Sequence, residues 1–310
     1  THITYANAND AENIQTINLT EEEKAAGKYT LTGLQPTSTY TITIYKNDVK
    51  RGQLQITTPA AMPAANYKYS LSSDVTVISQ TLIDEIAEQA KAAAGNETNY
   101  SATIGIPAGA KIALYGTNDT DGGKTNVTIP DGMSVTFFGL AGGETPTITL
   151  DKNFDIAGSH AFIKFQNVKL EDNGGGYFIN QSKACTVSEF TLEDCEVSNI
   201  KNSFFRFQKS DAKSVGKLTL KNSIFTKLCA GYGFINIDAG SGAGHLDNVE
   251  IDGCTFNSIC VTGKVFIYSN NTDMQDITIK NSTFYNCNGN GQFFVDFGKD
   301  AKFGPNTFTI

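Results

Sequence analysis

Tryptophan is absent from these 310 residues, charged side chains make up only 18%, and histidine occurs three times. No apolar run approaches the roughly 18 consecutive residues that a membrane-crossing helix requires. The three histidines, His2, His160 and His245, lie far apart, and no Ser/His/Asp or Cys/His arrangement accompanies them, so a peptidase has no support. No basic cluster offsets the net charge of −8, which argues against nucleic acid or anionic lipid as a partner. The six cysteines show no CxxC or Cys/His spacing, so no zinc site is expected. The chain begins at Thr1 with neither a leader nor an initiator methionine, which reads as a trimmed N-terminus.

What the sequence does contain is a repeat. Leu218-Thr219-Leu220-Lys221-Asn222-Ser223-Ile224-Phe225 returns as Ile277-Thr278-Ile279-Lys280-Asn281-Ser282-Thr283-Phe284, with weaker copies around Phe165, Leu192 and Ile251. The central apolar residues, at 165, 192, 220, 251 and 279, are separated by 27, 28, 31 and 28 residues. A second apolar run follows each copy: Phe178-Ile179, Phe204-Phe205, Phe234-Ile235, Phe266-Ile267 and Phe294-Val295. Two or three short strands per period of this length predict the rungs of a parallel β-helix.

Stacking turns residues one period apart into vertical files about 4.8 Å apart. Cys195 and Cys254 share a motif position with Ser223 and Ser282, as small inward residues. Cys229 and Cys260 each fall four residues after the motif Phe, where stacked free thiols and a cross-rung disulfide are both open. Asn167, Asn222 and Asn281, with Asp194 in line, form a turn ladder that satisfies backbone groups.

Residues 1–58 read as short strands, at Tyr29–Thr32, Tyr40–Ile44 and Gln53–Thr58. Residues 59–70, opening on Pro59, form a stiff linker, and 71–310 form the coil. A helix is predicted from Gln80 to about Ala94. Ser79 serves as N-cap, Leu82, Ile83, Ile86, Ala87 and Ala90 make the apolar face, Gly95 stops it, and its place suits it to cap the open end of the coil. In the first rungs Ile104-Gly105-Ile106-Pro107-Ala108-Gly109 recurs as Val127-Thr128-Ile129-Pro130-Asp131-Gly132, followed by strands at Lys111–Tyr115 and Ser134–Phe138.

Leu34, Pro36 and Tyr40 carry the spacing of a tyrosine corner, and with the flanking strands residues 1–58 resemble the last half to two-thirds of a fibronectin type III β-sandwich, without its first strands and its core tryptophan. This half-domain and the coil together resemble secreted or cell-surface proteins of Bacteroidetes polysaccharide-utilisation systems, in which such a module precedes a pectate-lyase-like right-handed parallel β-helix. The resemblance implies an all-β fold, an extracellular or outer-membrane-surface location and a polysaccharide partner, and it assigns no activity.

Two outward files carry the candidate chemistry. Gln166, Glu193, Lys221, Asp252 and Lys280 alternate in charge, and their plain reading is a surface ion-pair ladder. The sharper reading takes Glu250 and Asp252 as a carboxylate pair for glycoside hydrolysis, or for a calcium-dependent lyase, with Lys221 and Arg206 beside them. Lysines on either side would keep both carboxylates ionised, which disfavours a general acid. A pectate lyase also needs clustered acidic calcium ligands and a strong base, yet Arg206 is the only arginine in the coil. The Asn271-Thr272-Asp273 tripeptide matches a polygalacturonase motif without its partner aspartates and is read as turn chemistry.

The second file follows the paired apolar residues and reads Asn180, Arg206, Asn236, Tyr268 and Asp296. It mixes amide, guanidinium, phenol and carboxylate, the groups that bind sugar hydroxyls, grip a uronate and stack on a pyranose ring. A one-residue shift at Tyr268 would turn that ring inward. The sequence therefore points first to a carbohydrate-binding β-helix that grips an acidic plant or host glycan. A polysaccharide lyase or glycoside hydrolase comes second, and a structural stalk or adhesin third. No cofactor is expected, apart from calcium in the lyase case.

Overall fold

A computed structural model describes residues 1–58, 60–238, 243–269, 274–297 and 308–309. The chain divides into two compact units, Thr1–Ala61 and Met62–Ile310. Pro59 of the linker and the Asn271-Thr272-Asp273 tripeptide lie outside the described residues.

In the first unit, β1 (His2–Asn7), β2 (Asp10–Asn18), β3 (Thr39–Lys46) and β4 (Val49–Thr57) form one antiparallel sheet in the order β2-β1-β3-β4. A short helix, α1 (Glu21–Ala26), opens with a capping box in which Thr20 and Glu23 each accept from the other's backbone N–H. Ile3, Tyr40 and Ile42 are the buried centre, and Tyr29, Leu31, Leu34 and Ile56 pack around them. The Tyr40 hydroxyl accepts a hydrogen bond from the Gln35 N–H at 2.9 Å, the tie expected of a tyrosine corner.

One expectation for this unit needs correction, and three elements lie outside the sequence reading. Tyr29–Thr32 is not a strand; its alternating residues Tyr29 and Leu31 instead pack onto the small core. β1 and β2 were not foreseen, because β2 is exposed along nearly its whole length and carries no apolar alternation. The Thr20-Glu21-Glu22-Glu23 capping signal of α1 was likewise overlooked. One face of the sheet opens a groove of about 630 Å³ lined by Ile3, Leu19, Ile42, Ile44 and Leu54.

The second unit is a parallel β-solenoid of about six turns. Its described residues form three parallel sheets of nine, eight and seven strands, and each full turn adds one strand to each. One such turn runs through Cys185–Glu193, Glu196–Ser198 and Ser203–Gln208 before Lys213–Lys221 starts the next. Glu193, Lys221, Asp252 and Lys280 stand in direct register on the nine-stranded sheet.

Phenylalanine fills the interior. Phe178, Phe204, Phe234, Phe266 and Phe294 stack one above another, with centroid separations of 5.3, 4.7, 4.7 and 4.7 Å. A second file, Phe225, Phe256 and Phe284, stacks at 4.8 and 4.7 Å and meets the first edge-on. Aromatic pairs favour both geometries, each adding about 0.5–1.5 kcal/mol beyond area burial.

The small inward file is present as well. The Cys195 N–H donates to Ser223 Oγ and the Cys254 N–H to Ser282 Oγ, each at 3.1 Å. At the turn just before it Asn167, Asp194, Asn222, Gly253 and Asn281 all take the left-handed backbone conformation that Asn, Asp and Gly tolerate. Asn167 Nδ2 donates to the Gly139 carbonyl at 2.8 Å, tying that turn to the rung before it. All six cysteines are free thiols. Leu228 pairs with Ile259, so Cys229 and Cys260 are neighbours on successive rungs, both buried.

The predicted helix is α2 (Gln80–Ala93). Ser79 Oγ accepts from the Leu82 N–H, and Ile83, Ile86, Ala87 and Ala90 are buried in the solenoid core. The first rungs differ from the sequence reading. Tyr100–Ile106 pairs in register with Met133–Gly139 on the nine-stranded sheet, whereas Val127–Ile129 is an edge strand of the seven-stranded sheet. The two Pro-x-Gly turns are therefore not equivalent positions, since they follow strands of different sheets. An antiparallel pair, Gly116–Thr117 with Lys124–Thr125, is inserted between them.

Candidate functional site

The file that mixes donor and acceptor chemistry is continuous on the seven-stranded sheet. Asn180 pairs with Arg206, Arg206 with Asn236, Asn236 with Tyr268, and Tyr268 with Asp296. Tyr268 is thus in the register that turns its ring outward, and it is half-buried. Strand alternation explains the arrangement: Phe205 and Phe207 point into the core, and Arg206 between them points out.

Arg206 is held from several sides. Its Nη1 donates to Asn180 Oδ1 at 3.1 Å and to Gln208 Oε1 at 2.9 Å. Its guanidinium lies over the ring of Tyr232, 4.1 Å from the centroid, and Tyr232 stacks on Tyr177 at 6.1 Å. Asn236 is only 6% exposed, and its Nδ2 donates to the Tyr232 carbonyl at 3.4 Å. Among the described residues, Arg206 Nε and Asn236 Oδ1 are buried without a hydrogen-bond partner. Buried polar atoms are normally satisfied, so two such groups on adjacent rungs mark the centre of this face.

The file extends further than the sequence reading placed it. Phe154 pairs with Ile179, which puts Asp155 one rung before Asn180. Burial pushes the Asp155 carboxyl above its ordinary range, against the pull of the Asn126 amide bonded to it at 3.1 Å. The Tyr268 phenol is also raised, first by burial and then by the charges of Asp238 and Asp296. Asp155, Tyr177 and Tyr232 were missed. Asp155 precedes the repeat as counted from position 163, and both tyrosines lie just ahead of the Phe pairs that set the register.

The nine-stranded sheet carries the other candidates. Glu193 bonds Lys164 at 2.7 Å and Lys221 at 3.0 Å, while Glu250 bonds Lys217 at 2.6 Å and Lys280 at 3.3 Å. Asp252 lies 3.6 Å from Lys280 and accepts from Asn281 Nδ2 at 2.9 Å. Hydrogen bonds from Lys217 and Lys280 hold the Glu250 carboxyl below its ordinary range, and those from Lys164 and Lys221 do the same for Glu193. This is the ion-pair ladder, ionised and mutually neutralised. Arg206 does not join it, because Arg206 belongs to the seven-stranded sheet and Lys221, Glu250 and Asp252 to the nine-stranded one. The four residues considered together for catalysis therefore do not share a face. A groove of about 400 Å³ beside the ladder is lined by Phe162, Lys164, Thr191, Glu193, Thr219 and Lys221.

No group of three or more His, Cys, Asp or Glu side chains placed to hold a metal occurs among the described residues. No described helix is long and apolar enough to cross a membrane. No protein-family model and no curated protein matches the chain.

Proposed function

We propose that this protein is a carbohydrate-binding β-helix of a polysaccharide-utilisation system, working outside the cell or on the outer-membrane surface. It holds an extended acidic glycan along the outer face of its seven-stranded sheet. The observation that carries this reading is the unbroken register of Asn180, Arg206, Asn236, Tyr268 and Asp296, with Arg206 clamped at its centre. A guanidinium oriented in advance loses little freedom when it grips a carboxylate, and amides and a phenol at one-rung spacing suit hydroxyls repeating along a chain. The likeness to a pectate-lyase-like, right-handed coil behind a fibronectin type III module supports the setting, and the Tyr40–Gln35 tie favours that module. The enzyme reading is weaker, since lysines pin Glu250 on both oxygens and Arg206 lies on another sheet.

The test is a glycan-array screen followed by calorimetric titration of each hit. Arg206→Ala and Asn236→Ala are expected to weaken binding at least tenfold, the cost of truncating a central anchor. Unchanged affinity in both variants removes the strip as the site.

A further inference from the structure

We infer that the protein carries a second saccharide site, a groove on the outer face of the nine-stranded sheet that takes a neutral oligosaccharide independently of the Arg206 strip. The groove has a volume of about 400 Å³, within the range of about 300–1,000 Å³ usual for ligand sites. Its floor is the file Thr136, Lys164, Thr191 and Thr219, in register on four successive rungs and about 14 Å from first to last. Main chain closes one end. Pro63 and Ala64 line it there, and the Pro63 carbonyl accepts from Thr103 Oγ1 at 3.2 Å, one rung before Thr136. This strap is pinned a few residues on, where the Asn66 N–H donates to Ser101 Oγ at 3.0 Å and Asn66 Oδ1 accepts from the Ser101 N–H at 2.8 Å.

The groove offers the groups that suit an uncharged sugar. Phe162 faces outward, half-buried, beside Glu189, its register partner on the next rung. Ser134 Oγ accepts from the N–H groups of both Ala161 and Phe162, at 3.0 and 3.3 Å, which fixes the backbone that presents the ring. An aromatic ring in the wall of a groove supplies the apolar surface on which the C–H face of a pyranose packs. The charges cancel. Glu193 is bonded to Lys164 at 2.7 Å and to Lys221 at 3.0 Å, and with Glu189 the lining holds two cations and two anions. Carboxylates and ammonium groups therefore serve as acceptors and donors without a net field that favours an acid or a base. Glu189 is exposed, and its Oε1 accepts from Thr191 Oγ1 at 3.2 Å, which leaves acceptor positions open on that carboxylate. Thr219 Oγ1, in the floor, is buried without a hydrogen-bond partner among the described residues, and a ligand hydroxyl entering beside it would supply one. A purely apolar ligand would leave these groups unpaired, and a charged one would have to compete with the bridge from Lys164 through Glu193 to Lys221.

The experiment titrates the full chain by calorimetry with four neutral hexasaccharides: a β-1,4-glucan, a β-1,4-xylan, a β-1,4-mannan and an α-1,4-glucan. At least one is expected to bind, with an affinity that salt leaves unchanged, since no net charge is engaged. Phe162→Ala should weaken that binding at least tenfold, and Phe162→Tyr should keep it within about threefold. Thr219→Val keeps the shape of the side chain and should weaken binding about threefold, which gives a second reading should Phe162→Ala disturb folding. Binding of none of the four overturns the inference and leaves the acidic-glycan strip standing. Neutral binding that survives both Phe162→Ala and Thr219→Val also overturns it, and its loss in Arg206→Ala would place the sugar on the seven-stranded sheet instead.

Discussion

The Arg206 guanidinium lies 4.1 Å from the centroid of the Tyr232 ring, so a strand residue of one turn is braced by the residue that leads into the strand of the next. The contact limits the positions available to the guanidinium and leaves its outer edge forward. Tyr232→Phe keeps the π face and should bind glycan within about twofold of wild type. Tyr232→Ala removes a contact worth about 0.5–1 kcal/mol and should weaken binding about three- to fivefold by calorimetry.

Stability should fall with acid through the ladder. The folded-state pKa values of Glu193 and Glu250 lie below their ordinary values, so the stabilisation from these groups is present above their unfolded pKa, near 4.3, and is lost as pH falls through the lower folded values. Urea unfolding of wild type should lose stability below about pH 4.3, and Glu193→Gln/Glu250→Gln should flatten that limb. At neutral pH the double variant should cost no more than about 0.2–1 kcal/mol per ion pair, and less at high salt.

Phe234 contacts Phe204 and Phe266 face to face and Phe225 and Phe256 edge-on, and it is fully buried. Phe234→Ala should cost about 3–5 kcal/mol in equilibrium denaturation, because the stacked rings on either side cannot close the cavity. Phe234→Leu should cost clearly less.

Gly253 has φ of 66° in the left-handed turn, and a Cβ there would come within 2.6 Å of Asn222 Oδ1. Gly253→Ala should destabilise by about 1–2 kcal/mol. Gly253→Asn should cost less, since Asn222 and Asn281 hold the same conformation one rung to either side. Thermal denaturation of the two variants separates these outcomes.

Burial pushes the Cys260 thiol up to about 12 and that of Cys195 to about 12, and holds Cys229 well above its ordinary value. Thiolate is the reacting form, so a maleimide at neutral pH should label the half-buried Cys287 first and the buried thiols only after denaturation. Mass spectrometry without reductant should find all six thiols intact. A mass lower by two hydrogens would instead reveal one disulfide, and peptide mapping would show whether it joins Cys229 and Cys260.

Much of the solenoid was legible because a period near 28 residues makes every inner position recur, and Phe204, Phe234 and Phe266 are conspicuous markers. Once the Phe pairs were aligned, the outward file from Asn180 to Asp296 followed from strand alternation alone. Asp155 was not legible, because its rung lacks the apolar pair that marks the register: Phe154 aligns with Ile179, and Asn153 stands where Phe178 does. The N-terminal unit resisted for a different reason. β2 is exposed on both faces, so no burial pattern marks it, while Tyr29 and Leu31 alternate like a strand yet serve the core from a loop. Tyr232 became visible as part of the strip only through its contact with Arg206, a relation between positions 26 residues apart.

The aromatic files inside the coil also have a consequence for how its outer face can change. Backbone hydrogen bonds between successive strands set the interval between turns, the stacked rings fill the interior at that interval, and side chains on the outer face take no part in maintaining it. Such a scaffold works like a pegboard: the hole spacing stays constant while individual pegs are exchanged. New ligand preferences are then open to this architecture through single outward replacements, without renegotiating the fold each time.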